Sequence, residues 1–223
     1  MEFKTVKVVS TIKDQVYQAI KENILNENLK PGQRIQELQI AKEMNVSRSP
    51  VRSAINELIG EGLLESIPNK SVRVRQLSEK DIVDAFEFRI IIEKYAMEKA
   101  VQNMNDRIRS RLLEFRKSFL DYSDHQELQS YVQVDSAFHE FLVVSAGNQI
   151  VTDSLNKVSM LIIPFRVFSL SSHERFLASI EEHTGMIDGL LNRNLDEAWQ
   201  SCMTHLMLAK EEIIRHLKNS PQD

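Results

Sequence analysis

The chain has 223 residues, 28 Lys and Arg against 32 Asp and Glu, and one cysteine, which is length enough for two domains that each bury a core. A single cysteine excludes an intrachain disulfide framework and makes a reducing, cytoplasmic compartment the expectation; no run approaches the roughly 18 apolar residues of a membrane span, and the N-terminus has no secretory apolar segment. The net charge of −4 is unevenly placed: residues 1–75 carry 12 basic and 9 acidic side chains, net +3, and the remainder 16 and 23, net −7, as expected when one domain meets phosphates and the other does not.

In chain order, Met1 to Val9 reads as a loose arm. Ser10 to Asn26 is predicted helical, with Val16, Ala19, Ile20, Ile24 and Leu25 on one face. Leu29-Lys30-Pro31-Gly32 is a turn by composition. From Arg34, a second helical pattern carries Ile35, Leu38, Ile40 and Ala41 on its apolar side. Met44-Asn45-Val46 breaks it, Ser47 is an N-cap candidate, and Val51, Ala54, Ile55 and Leu58 fall at helical spacing behind it. Two helices joined so tightly predict a helix-turn-helix, with Ser47 to Arg52 protruding at the start of the second. Leu63 to Ile67 and Val72 to Arg75 then flank Pro68-Asn69-Lys70-Ser71 as a small β-hairpin wing with a basic tip.

Ser78-Glu79-Lys80-Asp81 is a capping box and opens a second domain. The pattern is helical from there on, over roughly 79–103, 106–122, 126–145, 149–163, 174–191 and 195–217, with Pro164 interrupting the fourth helix. The expected fold is therefore mostly α: a winged helix-turn-helix over residues 1–75, and an all-α antiparallel bundle over 76–223.

The first domain has the chemistry of a DNA reader. Arg48 and Arg52, one helical turn apart, suit bidentate contact with guanine edges, while the Ser47 and Ser49 hydroxyls and the helix N-terminus suit phosphates. Arg34 is placed to touch backbone or base. Singly, each arginine fits a solvated helix face equally well; the tight break, the wing and the charge split favour DNA.

The second domain holds polar residues where a solvated side chain does not belong. Asp135 and His139 share one helical face with Leu128, Val132 and Leu142. His183 continues the apolar line of Phe176, Ile180 and Ile187, and His205 that of Ala198, Cys202, Ala209 and Ile213. An inward carboxylate needs a partner, and three imidazoles with one aspartate suit a borderline divalent metal, zinc first and nickel or manganese next. An Asp–His hydrogen-bond network with two incidental histidines is the plain alternative, and Asp-x-x-x-His alone does not choose. His125, His173 and His216 read as surface or loop residues, and Cys202 as small core packing.

PGQRIQE (Pro31 to Glu37) and VSRSPVRSAINELIGEGLL (Val46 to Leu64) resemble the winged helix-turn-helix of GntR-type bacterial transcription regulators. FEFRIIIEKYAMEKA (Phe86 to Ala100), VDSAFHEFLVVSAGN (Val134 to Asn148), EEHTGMI (Glu181 to Ile187) and MTHLMLA (Met203 to Ala209) resemble the all-helical FCD effector domain of the FadR-type branch. The resemblance implies DNA contacts at Arg34, Arg48 and Arg52 and a wing tip entering the minor groove. Where the family usually has Gly after the Asn-Lys pair this chain has Ser71, which shifts the wing contact onto Lys70. It further implies metal ligation by Asp135, His139, His183 and His205, an effector carboxylate met by Arg89, with Arg166 as a second contact, and a homodimer on a palindromic operator. The expected function is a transcription regulator, a repressor by preference, tuned by a small organic acid beside the metal. A metal-dependent hydrolase or lyase, and a constitutive DNA-binding dimer with a structural metal, are the alternatives; no HExxH, phosphate loop or nucleophile motif supports the enzyme.

Overall fold

The computed structural model describes residues 10–25, 28–68, 71–124 and 127–219, so the expected arm at Met1 to Val9, the wing residue Lys70 and His125 lie outside the described residues. The chain divides into two compact units, Met1–Gln76 and Leu77–Asp223.

The first unit opens with α1 (Ile12–Leu25). A reciprocal cap starts it: the Asp14 N–H donates to Thr11 Oγ and the Thr11 N–H donates to the Asp14 carboxylate. Its buried face of Val16, Tyr17, Ile20 and Ile24 packs on α3 (Arg48–Gly60), which buries Val51, Ala54, Ile55 and Leu58. Between α2 (Glu37–Glu43) and α3 the backbone turns at Asn45, φ 53°, a left-handed conformation that asparagine tolerates better than most residues.

One sequence expectation is corrected here. Arg34 and Ile35 do not begin a helix; they form a short strand, β1 (Arg34–Ile35). With β2 (Leu64–Ile67) and β3 (Ser71–Val74) it builds an antiparallel sheet in the order β1-β3-β2. Gly32, at φ 81°, gives the reason: its left-handed turn lays the chain beside β3, where Gly32 N–H donates to the Val74 carbonyl and Val74 N–H to the Gln33 carbonyl. Ile35 is buried by the sheet while Leu38, counted on the same apolar side, is 62% exposed.

The first helix of the second unit is capped by Ser78, whose hydroxyl accepts from the Asp81 N–H while the Asp81 carboxylate accepts from the Ser78 N–H. Its helices are α4 (Glu79–Gln102), α5 (Asp106–Asp121), α6 (Leu128–Ser145), α7 (Gln149–Ile162), α8 (His173–Leu191) and α9 (Leu195–Asn219). Asn105, Asn148 and Ser172 cap α5, α7 and α8 with side-chain oxygens. After α7 the chain runs into a 3-10 helix, Ile163–Leu170, with proline at its first turn, where a missing N–H costs no hydrogen bond. Phe86, Met97, Phe119, Tyr131, Phe138, Phe176, Met186 and Leu206 are among the fully buried residues of a single core. His216, read as a surface or loop residue, is half-buried on α9 and stacks its ring on Phe168 with centroids 3.5 Å apart. No helix among the described residues is long and apolar enough to cross a membrane.

Helices α8 and α9 approach closely at two glycines. A Cβ added to Gly189 would lie 2.5 Å from the Ala198 backbone nitrogen, and one added to Gly185 would lie 2.7 Å from Ser201 Oγ. The first contact is with backbone and cannot be relieved by a rotamer change. Gly189→Ala is therefore expected to destabilise the protein by ~1–3 kcal/mol through overpacking, seen as a lower urea midpoint; an unchanged midpoint would show that the two helices are free to part.

Candidate DNA-reading surface and candidate metal centre

On the first unit, Ser47, Arg48, Ser49 and Arg52 are all exposed at the start of α3. Ser47 holds the N-cap position but makes no side-chain cap hydrogen bond. The two arginines converge on one carboxylate that the sequence did not single out. Arg52 donates from Nη2 to Glu37 Oε2 at 3.0 Å, and Arg48 Nη2 lies 3.7 Å from the same oxygen. Glu37 comes from the first turn of α2, so the tight break between the helices is what brings the three groups together. Both guanidiniums remain more than half exposed. Arg34 is exposed on β1 opposite Arg73, and Arg73 is neutralised from its other side by Glu65 at 2.6 Å, which relieves the like-charge pair. Ser71 is a strand residue paired with Ile67, so no left-handed backbone is asked of it.

In the second unit, Asp135 and His139 of α6, His183 of α8 and His205 of α9 come together. One ligating atom from each lies within 4.8 Å of the others, and all four residues are buried. The rings are oriented from behind. His139 donates from Nδ1 to Glu93 Oε2 at 2.6 Å, His183 from Nδ1 to the Ser179 carbonyl at 2.7 Å, and His205 from Nδ1 to Glu182 Oε2 at 3.0 Å. Phe119 stacks on His183 at 4.2 Å, and Tyr131 sets its hydroxyl 3.0 Å from His183 Nδ1. A neutral imidazole that donates from Nδ1 carries its lone pair on Nε2. Each ring thus has its Nε2 left over to face the centre, and the Nε2 atoms of His139 and His183 have no hydrogen-bond partner although buried. His183 Nε2 and His205 Nε2 stand 3.4 and 3.6 Å from Asp135 Oδ2. Lone pairs facing a carboxylate repel unless a positive charge lies among them. The donor set and its orientation fit a divalent cation.

The charges around this point are set by burial and pairing. Burial opposes ionisation of Asp135, but the Arg166 guanidinium holds its carboxyl well below the ordinary range. Burial pushes His139 and His205 down from the ordinary histidine value, against the pull of Glu93 on the first and despite Asp135 on the second; both rings are neutral at pH 7. Burial raises the Cys202 thiol, as does Glu93 Oε2 at 3.6 Å, which makes it an inert core group, as its sequence setting suggests.

The two arginines assigned to an effector are placed differently from a free anion trap. Arg89 is buried, donating from Nε to Glu93 Oε1 at 2.8 Å, with Nη2 unpartnered. Arg166, in the 3-10 segment, donates from Nη1 to Asp135 Oδ1 at 2.5 Å and to Ser136 Oγ at 2.8 Å. Glu93 and Glu182, which orient two of the rings, escaped the sequence reading. Glu93 was visible as the i+4 partner of Arg89, but only its second oxygen, 46 residues from His139 in sequence, reveals the other role.

Together, an exposed winged helix-turn-helix and a buried helical ligand site define a DNA-binding transcription regulator with a sensory domain. Residues 12–74 match the gntR family of bacterial regulatory proteins and residues 84–208 match the FCD domain. The chain belongs to the GntR family and carries an FCD domain. It is 28% identical over 195 residues to the HTH-type transcriptional regulator YdhC of Bacillus subtilis (strain 168), covering 86% of each chain. It is 27% identical to the Nta operon transcriptional regulator of Aminobacter aminovorans, covering 86% of this chain and 90% of that one. Its fold is similar to that of E. coli McbR/YncC, with a TM-score of 0.77 at 16% identity over 94% of this chain and 100% of the other. It is also similar to the metal-free FCD domain of TM0439, with a TM-score of 0.57 at 21% identity over 65% and 99%. The first two are named as transcriptional regulators, and the hydrolase or lyase alternative falls with the family membership.

Burial raises the Glu93 carboxyl, but Arg89 and His139 outweigh it and draw the value from the ordinary 4.5 to about 2. A value depressed on folding stabilises the native state fully above 4.5, and that stabilisation is lost as pH falls towards 2. Thermal melts between pH 5 and pH 3 are expected to show a shallower fall for Glu93→Gln than for the native chain; parallel slopes would rule out the pairing.

Proposed function

We propose that this chain is a cytoplasmic, ligand-responsive repressor of the FadR subfamily. Residues 1–75 read a palindromic operator as one half of a homodimer, and residues 76–223 sense a small carboxylic acid beside a divalent metal. The observation that carries the reading is the convergence of one ligating atom each from Asp135, His139, His183 and His205 within 4.8 Å of one another, each ring held by its own Nδ1 partner. Asp135, His139, His183 and His205 are the ligands, with zinc first and nickel or manganese as alternatives. The cation, when bound, supplies a Lewis-acidic position for a carboxylate oxygen. Arg89 binds the effector's carboxylate through Nη2, the buried guanidinium nitrogen left without a partner. Arg166 is a second contact. The acid then changes operator affinity by favouring one arrangement of the protein over another, which requires a difference in its affinity for the two.

At the operator, Arg48 and Arg52 read base edges, Ser47 and Ser49 bind phosphates, and Arg34, Lys70 and Ser71 contribute from the sheet and wing. The exposure of Arg34, Ser47, Arg48, Ser49 and Arg52, and Glu37's hold on two of the guanidiniums, support this division. Glu37 aims both arginines from one point, so their forks are ordered before any base is met.

Two measurements test these assignments. Arg52→Ala is expected to weaken specific operator binding about tenfold to hundredfold, the ~1–3 kcal/mol of a bidentate base contact, with a much smaller loss on unrelated DNA; equal losses would remove the base-reading role. Added zinc is expected to raise the melting temperature of the native chain by several degrees at roughly a hundredfold excess over its dissociation constant, a chelator to reverse this, and His205→Ala to abolish it. A native chain that neither retains nor responds to zinc, nickel or manganese would refute the metal assignment. Acid that binds without changing operator affinity would leave a constitutive dimer with a structural metal.

A further inference from the structure

Among the residues gathered at the start of α3, one group can only accept hydrogen bonds. Arg48 and Arg52 are donors without acceptors, and the hydroxyls of Ser47 and Ser49 serve either way. Donors suit the N7 and O6 of guanine in the major groove, but the exocyclic amines of cytosine and adenine must be met by an acceptor. Glu37 is that acceptor. It comes from the first turn of α2, its side chain is 26% exposed, and its carboxylate is shared by two guanidiniums that are themselves more than half exposed. An ion pair so exposed contributes little to stability, so folding does not account for it. A negative group beside arginines that approach phosphates weakens that approach, so attraction to the DNA backbone does not account for it either.

The geometry leaves part of the carboxylate unused. Arg52 turns one flank of its fork to Glu37, with Nη2 3.0 Å from Oε2 and Nε 3.3 and 3.4 Å from Oε2 and Oε1. Arg48 Nη2 lies 3.7 Å from the same Oε2. Among the described residues, Oε1 takes only the 3.4 Å contact from Arg52 Nε, whereas a carboxylate oxygen accommodates about two hydrogen bonds. With its flank occupied, Arg52 has its outer edge left for a guanine: Nη1 and the second hydrogen of Nη2. Glu37 then lies beside the fork and not ahead of it. Base pairs are spaced about 3.4 Å apart along the duplex, so a group on the flank of a guanine-bound guanidinium stands over the neighbouring pair.

We propose that Glu37 reads a base as well as aiming the arginines: its Oε1 accepts a hydrogen bond from the exocyclic amine of a cytosine or adenine in the base pair next to the guanine read by Arg52. The proposal rests on the base-reading assignment of Arg52 above. The carboxylate selects twice. It favours an amine at the neighbouring pair, and it meets the keto oxygen of a guanine or thymine there, or phosphate oxygens on unrelated DNA, with like charge.

The test selects binding sites for the full chain from a pool of random duplex DNA, using the native protein, Arg52→Ala, Glu37→Gln and Glu37→Ala, each checked for a native-like thermal melt. The position that loses its preference in Arg52→Ala marks the guanine this residue reads. In the native profile, a position adjoining that guanine is expected to favour cytosine or adenine over guanine and thymine by about fivefold or more, and the same position shows which of the two amines prevails. Glu37→Gln, whose amide both donates and accepts, and Glu37→Ala, which does neither, are expected to abolish that preference. On duplex lacking the selected site, Glu37→Gln is expected to bind about twofold or more tightly than the native chain; equal or weaker binding there overturns the repulsion. A carboxylate that only aims the arginines gives a different pattern: both Glu37 variants weaken the guanine positions and leave the adjoining one unchanged. That result overturns the proposal, as does a native profile with no preference for an amine beside the Arg52 guanine. A native chain that selects no sequence, or an Arg52→Ala profile identical to the native one, instead removes the base-reading role of Arg52 and this proposal with it.

Discussion

Burying charge in a helical bundle is tolerable only when each charge meets its counterpart, since breaking a buried pair costs ~3–5 kcal/mol. The second unit depends on this constraint. Arg89, Glu93, Asp135, Arg166 and Arg175 are buried, and Glu182 nearly so. Their pairing runs through four helices and the 3-10 segment. Glu93 of α4 bridges Arg89 and His139 of α6; Asp135 of α6 meets Arg166; Glu182 of α8 bridges Arg175 and His205 of α9. An apolar core alone would allow these helices to slide by small steps. The charge pairs do not, because each is satisfied in one register only.

The first unit treats charge in the opposite way. Its arginines stand at the surface, where an ion pair is worth little to stability. Glu37 therefore matters for aim rather than for folding. It shares one carboxylate between Arg48 and Arg52, and the positive φ at Asn45 sets the angle at which the two helices bring these groups together.

Much of this was legible in the sequence, for identifiable reasons. Val51, Ala54, Ile55 and Leu58 repeat at helical spacing and form the buried face of α3. Ser78 and Asp81 announce a cap by residue type alone. Asp135, His139, His183 and His205 stood out because each interrupts an apolar line, and the structure brings them to one point. What escaped was non-local. Arg34 and Ile35 are too few to show alternation, and only pairing with β3 makes them a strand. The hold of Arg166 on Asp135 spans 31 residues, and no local pattern encodes it. Glu182 carries no signal of its own in the sequence; helical phase alone does not say that it meets Arg175 one way and His205 the other.

The glycine seam between α8 and α9 has a consequence for the rings that flank it. His183 lies two residues before Gly185 and His205 four residues after Ser201, and their ring centroids are 4.3 Å apart. That separation is set by backbone resting on backbone at Gly189 and Ala198; the imidazoles do not need to pull the helices together. The two rings meet edge to face on helices whose spacing is fixed elsewhere. Two residues with no side chain at all set how closely the helices carrying the two rings can lie, so the spacing of the histidines is written into the packing of the helices.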